Sequence, residues 1–352
     1  MKKESKRTCL FISYSDQRVF LWILKTSGVI QFRKIEVDKK VLHTRLTKVA
    51  RNLDEFFAIM AESFQRFGIL PEEVCEDRSI SDNNIEKNPE FFQEESPANF
   101  RQSMPGNTDY PEPSLTLFYE LLVHQVSELL NEPEIIIVPD HSLYRVPFPA
   151  LLSERGKYLS ENFRIRVVPS LSTLKLIQDS PADYHSQTGA LVVGDPDVGT
   201  KVIYGGSFNR NFVPLPGARK ETEMIARRLG VRPLLGQDAT KPAVLERMKS
   251  ASLIHIAAHG NAERGEIALA PSRFTTGILE EDDYLLKMSD ISRLQVRAKL
   301  VVLSCCHSGR GQIRAEGVVG IARAFLGSCA RSVLVSLWAL DVNAAKKLMI
   351  RF

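Results

Sequence analysis

The chain has 352 residues, a formal net charge of +4, 44% hydrophobic and 25% charged residues. That balance fits a folded globular chain and excludes wholesale disorder. The weak, scattered positive charge argues against a nucleic-acid partner. No run approaches the ~18 apolar residues that a membrane span needs.

Residues 8 to 38 read as a β-meander. Its strand-like runs are Cys9 to Tyr14, Val19 to Leu24 and Val29 to Val37, with turn signals at Ser15-Asp16 and Thr26-Ser27-Gly28. Residues 45 to 68 switch to a helical period, with Leu46, Val49, Leu53, Phe56, Phe57, Met60 and Phe64 at spacings of three and four. Residues 71 to 112 are polar and acidic, broken by Pro97, Pro105 and Pro111, and predict a flexible linker. The division is therefore 1–70, a meander and helix; 71–112, a linker; and 113–352, the main domain.

That domain opens with a helix from Leu115 to Leu130, then strands over Glu134 to Val138 and Phe163 to Val168. Ser170 is an N-cap candidate for the next helix. From Gly189 the chain alternates. Strands fall at Gly189–Gly194, Arg232–Gly236, Leu253–Ala257, Leu300–Leu303 and Ser332–Trp338. Helices fall at Gly217–Leu229, Thr240–Met248, Ser289–Leu294, Gly317–Leu326 and Asn343–Phe352. Alternation of this kind predicts a mostly parallel, three-layer α/β sheet. The last helix has no stop signal, which reads as a chain cut from something longer.

Five cysteines (Cys9, Cys75, Cys305, Cys306 and Cys329) are sparse and odd in number. They point to free thiols in a reducing compartment, and so to a cytoplasmic chain. The basic opening Met1 to Arg7 is followed by a run too short and polar for a signal peptide. There is no CxxC pair, so no metal is expected, and no cofactor is called for.

Two strand ends carry the chemistry. Leu300 to Leu303 runs into Ser304-Cys305-Cys306-His307-Ser308-Gly309-Arg310-Gly311, and Ser252 to Ala258 runs into His259-Gly260. Open α/β sheets place their sites at such rims. Thiol catalysis needs a cysteine able to ionise, a base beside it and N–H donors for the oxyanion. His259 is the base candidate and Cys306 the nucleophile. The backbone N–H groups of Gly260 and Cys306 are the oxyanion candidates. Gly260, Gly309 and Gly311 are read as turn glycines. Cys305 points opposite to Cys306 by strand alternation and reads as packing. His255 reads as a buried structural histidine. His307 is a weaker alternative base.

The segment His255-Ile256-Ala257-Ala258-His259-Gly260 resembles the His-(Ile/Leu)-Ala-Thr-His-Gly motif of the CHAT domain, a caspase-like family attached to tetratricopeptide repeats. Leu300 to Gly311 resembles that family's LVVLSAC-x-(T/S)-G-x-G. Glu316-Gly317, Ala322 to Phe325, Ala330 to Val333 and Ser336 to Trp338 are similar to its GEG, ARAF, ARSV and SLW segments. Ile137 to Phe148, Pro169 to Ser172, Val193 to Pro196 and Pro214 to Ala218 extend the likeness over about residues 113 to 352. The 47-residue spacing of His259 and Cys306 is close to the roughly 50 of caspases.

The resemblance implies a caspase-like three-layer αβα sandwich, preceded here by the meander. It implies a cysteine endopeptidase acting on a protein or peptide substrate, or a silent scaffold for protein–protein interaction. Tetratricopeptide repeats in a longer parent chain or a partner go with it. No membrane or nucleic acid does. A substrate strand is expected beside Ser336 to Trp338. Cys305 stands where the family has alanine, and Ala258 where it has threonine. Asp341-Val342 replaces an Asp-Asp pair, leaving Asp341 as a pocket acid or a helix cap.

Overall fold

The computed structural model describes residues 6–38, 50, 52–57, 78, 80, 113–181, 183–199, 202–205, 207–210, 212–261, 265–272, 278–314, 317–338 and 342–351. Strands β1 (Arg7–Ser15), β2 (Arg18–Lys25) and β3 (Ile30–Glu36) form the expected antiparallel meander. Along β1 and β2 every second residue is buried: Leu10 and Ile12, then Val19, Leu21 and Ile23. This period-2 face packs on Phe56, Phe57 and Phe118. Phe118 belongs to helix α1 (Pro113–Leu122), whose predicted continuation tightens into a 3-10 turn over His124–Leu129. The helix foreseen over 45 to 68 lies largely outside the described residues, and Leu53 to Phe57 are helical within it.

The meander is not a sheet of its own. β1 pairs in parallel with β4 (Glu134–Val138), and β4 with β5 (Arg164–Val167). The order is β3-β2-β1-β4-β5. The expected boundary at residue 113 thus runs through one hydrogen-bonded sheet. Ile135 and Ile137 join the same core as Leu10 and Ile12.

The second sheet carries the site. Helix α2 (Leu171–Gln178), capped by Ser170 as expected, leads toward it. The strands in chain order are β6 (Gly189–Pro196), a small hairpin of β7 (Val202–Tyr204) and β8 (Ser207–Arg210), then β9 (Leu234–Gly236) and β10 (Ala251–Ala257). A two-residue pair, β11 (Ile267–Ala268) with β12 (Leu285–Leu286), precedes β13 (Leu300–Leu303). A hairpin of β14 (Gln312–Arg314) and β15 (Gly317–Val319) precedes β16 (Val333–Leu334). The main order is β16-β13-β10-β6-β9, every pair parallel.

Helices cover both faces, as right-handed crossovers require when the strand order reverses after β9. Helix α3 (Pro216–Leu229) lies on one face, where Ala218 meets Ala257. Gly230 closes it in the left-handed conformation, φ 65°. Helices α4 (Lys241–Met248), α5 (Met288–Ser292) and α6 (Ile321–Gly327) lie on the other. Helix α7 (Val342–Arg351) packs beside α3. This is the α/β, three-layer sandwich with a mostly parallel sheet that the alternation predicted.

Two local expectations are corrected. The helix foreseen from Gly317 begins at Ile321, because Gly317 to Val319 pair with Gln312 to Arg314 as a hairpin. The strand foreseen over Ser332 to Trp338 is regular only at Val333 and Leu334. Beyond them Ser336 and Trp338 bond a loop instead of a neighbouring strand.

Candidate active site

The register of β10 against β13 brings the two strand ends together. Ile254 stands opposite Val301, His255 opposite Val302 and Ile256 opposite Leu303. The Ser304 N–H still reaches the Ile256 carbonyl, 2.8 Å. Three residues further that register sets His259 opposite Cys306, and side chains level on parallel neighbours point to the same side. The chains stay close past the ladder. A Cβ on Gly260 would lie 3.0 Å from the Cys306 carbonyl oxygen and 3.1 Å from the Cys305 Cβ.

That contact revises the reading of the glycines. Gly260, Gly309 and Gly311 do not adopt positive φ. They are required for close approach: a Cβ on Gly311 would sit 2.2 Å from the Val319 carbonyl oxygen. The sharp turn after the thiol falls instead on His307, φ 58°.

His259 is 5% exposed, and its Nε2 lies 2.9 Å from the Val213 carbonyl. A carbonyl only accepts, so Nε2 carries the proton and Nδ1 is the basic nitrogen of the neutral ring. The Phe212 ring stands edge-on to the imidazole, centroids 5.5 Å apart. The Val213 segment is itself tied down, since the Leu215 N–H donates to Asp195 Oδ1 at 2.7 Å. Sequence reasoning missed this orienting carbonyl. A backbone group leaves no residue-type signal, although Pro214 to Ala218 stood among the matched segments.

Cys306 is fully buried, as is Cys305. The two thiols have different surroundings. Cys305 faces the apolar cluster of Ile254, Ile256, Leu303 and Phe325. Burial pushes its thiol up to about 12, and its Sγ lies 3.6 Å from the Ile256 carbonyl. It packs and stays protonated. The His307 backbone N–H donates to the Trp338 carbonyl at 3.2 Å.

His255 is buried as expected, and it has a charged partner. Its Nε2 lies 3.0 Å from Glu221 Oε1 on α3, both residues 1% exposed. The other Glu221 oxygen meets the Arg78 guanidinium at 3.2 Å. Burial alone would raise the Glu221 carboxyl. His255 and Arg78 outweigh burial and hold it below its ordinary range. Arg78 also donates to the Ser304 carbonyl and hydroxyl, 2.9 Å each.

Arg78 and Ile80 correct the expectation of a linker at these two residues. Both are buried at the end of β10. The Gly260 N–H, an oxyanion candidate, donates to the Arg78 carbonyl at 2.7 Å, and the Ile80 N–H donates to the Gly260 carbonyl at 2.8 Å. The expected substrate edge is partly taken as well. The Ser336 carbonyl accepts from the Gly309 N–H at 2.8 Å and the Trp338 carbonyl accepts from His307. Successive residues of an extended segment face opposite sides, so a peptide pairing there would meet Val335 or Leu337 instead. Asp341 lies outside the described residues.

A parallel, helix-covered sheet with histidine and cysteine ending adjacent strands defines the caspase-like class. Residues 112–352 match the CHAT domain, and the chain belongs to that family. It is also similar to tetratricopeptide repeat protein 28 of Homo sapiens, 28% identical over 285 residues, and to that of Mus musculus, 29% identical over 280 residues. These matches take in 68% and 66% of this chain. They span 11% of the length of each relative. Among the described residues no helix is long and apolar enough to cross a membrane.

Proposed function

We propose that the chain carries a cysteine endopeptidase site with His259 as base and Cys306 as nucleophile. The carrying observation is the β10–β13 register, with the His259 proton held on Nε2 by Val213. His259 Nδ1 takes the Cys306 thiol proton, and the thiolate attacks a peptide carbonyl carbon. The Gly260 and Cys306 N–H groups receive the oxyanion once Arg78 has left the first of them. Collapse expels the amine, which takes the proton back from His259. Water then cleaves the thioester, releasing the acid and regenerating the thiol.

A second reading has its own observation. Cys306 is fully buried and the Gly260 N–H already engaged, which suits a silent scaffold for protein contacts. In both readings the partners are proteins: a peptide substrate in the first, and in either one tetratricopeptide repeats in a longer chain or beside it, as the relatives' name supports. Among the described residues Cys9, Cys305, Cys306 and Cys329 form no disulfide, which fits a reducing, cytoplasmic setting.

The test is labelling by a peptide carrying a thiol-reactive electrophile. Under the peptidase reading, Cys306→Ala abolishes labelling and His259→Ala lowers its rate by a factor on the order of 100 to 10,000. Labelling that survives unchanged in His259→Ala would reduce Cys306 to an ordinary thiol.

A further inference from the structure

The bonds at the end of β10 hold Arg78 and Ile80 against the site. Besides the two backbone bonds to Gly260, the Asn261 side-chain amide donates to the Ile80 carbonyl at 3.0 Å. A carbonyl that accepts from an oxyanion donor stands where the carbonyl of a bond to be cut would stand. Arg78 supplies that carbonyl. Its side chain therefore fills the pocket that reads the residue before the cut.

The pocket's chemistry is complementary to a guanidinium. One terminal nitrogen donates to the Ser304 carbonyl and hydroxyl, and both terminal nitrogens reach Glu221 Oε2. Ser304 sits two residues before Cys306, so the pocket adjoins the nucleophile. His255 Nε2 lies 3.0 Å from the other oxygen of Glu221. A planar fork satisfies the carboxylate, hydroxyl and carbonyl together, whereas an ammonium is a compact point charge. An acidic residue would meet the Glu221 carboxylate and the Ser304 carbonyl with its own negative charge.

We infer that Glu221 and Ser304 form an arginine-selecting specificity pocket, and that Arg78 occupies it as a resident ligand of the same chain. The inference rests on the peptidase reading of His259 and Cys306. An external peptide must displace Arg78, which the chain itself holds at high effective concentration. The intact chain is thus self-blocked, and its preferred substrates carry arginine before the cut.

The experiment uses the full chain with acyloxymethyl ketone peptides ending in arginine, leucine or aspartate. Arginyl labelling of Cys306 is expected to be faster in Arg78→Gln than in the parent chain, on the order of 100-fold, with aspartyl labelling absent. Arg78→Lys keeps a cation beside Glu221 and serves if the glutamine variant melts; it too should label faster than the parent. A second readout needs no thiol. In a Cys306→Ala, Arg78→Gln double variant, a fluorescent peptide copying residues 76 to 84 should bind saturably. The same peptide with glutamine for its arginine should not.

Arginyl binding without labelling in any variant keeps the pocket and removes the peptidase. Equal labelling by the arginyl and aspartyl probes, or no gain from vacating Arg78, overturns the pocket and leaves the peptidase standing. Absence of both labelling and binding overturns both.

Discussion

The two faces of the second sheet differ in kind. The face toward α4, α5 and α6 is a continuous apolar cluster that takes in Val193, Ile254, Ile256, Val301, Leu303 and Cys305. The face toward α3 buries Arg78, Glu221, His255 and Ser304. Cys305 and Cys306 are neighbours in sequence and look onto these different environments. The apolar face contributes free energy in proportion to the area removed from water. The polar face has a desolvation cost of several kcal/mol per ion that its own pairing largely cancels. A fold needs only the first kind of face. The second specifies a place.

The largest test sets the two faces against each other. Glu221→Ala leaves the Arg78 guanidinium buried without its carboxylate and should cost about 3–5 kcal/mol in chemical unfolding. Phe325→Ala on the apolar face should cost about the same by emptying volume. Only the polar loss should be recoverable by a second change. Arg78→Met with Glu221→Leu should regain most of the stability while arginyl labelling stays lost. If that double variant is as unstable as Glu221→Ala, the polar face is a stability element after all.

The same carboxylate gives a pH signature. Glu221 is held below its ordinary value of 4.5, so its contribution is complete above that pH. It is lost as pH falls through the lowered native value. The stability gap between the parent chain and Glu221→Gln should be constant near neutrality and close in acid. A gap that widened in acid would reverse the assigned direction.

Gly260→Ala should act at intermediate size. Its Cβ would press on the Cys306 carbonyl and Cys305 Cβ at 3.0 and 3.1 Å. A cost of about 1–3 kcal/mol is expected, with labelling reduced more than stability. The smallest effect belongs to Cys305→Ala, about 1 kcal/mol for one buried sulfur. Electrophile labelling should be unchanged. With its thiol pushed up to about 12, Cys305 should also resist iodoacetamide at pH 8 in the native chain, and its rapid modification there would contradict the assigned burial.

What the sequence disclosed follows from how local each signal is. The apolar run Leu300 to Leu303 and the cap at Ser170 are local, and each appears where expected. The nearness of the two strand ends that carry His259 and Cys306 was legible because both belong to one parallel sheet. The hairpin at Gly317 was not, since its partner strand lies across the loop and not in the local period. Arg78 was illegible for a stronger reason. It sits among Glu76, Asp77 and Ser79, a polar composition that ordinarily stays in water. A carboxylate 143 residues away and the Ser304 oxygens 226 away make its burial tolerable. Val213 acts through its backbone, which no side-chain pattern announces.

The bond between Arg78 and Ser304 joins residues 226 positions apart. Contacts so distant in sequence form late, because closing the intervening loop costs entropy before it returns any contact energy. During synthesis, Arg78 and Glu221 leave the ribosome well before Ser304 and Cys306. A growing chain therefore carries Glu221 and His259 before it has Cys306. Cys306 emerges after Arg78, and β16 of its sheet is made later still. Docking of Arg78 therefore waits on the strand that carries Ser304, which makes this contact a late marker of folding.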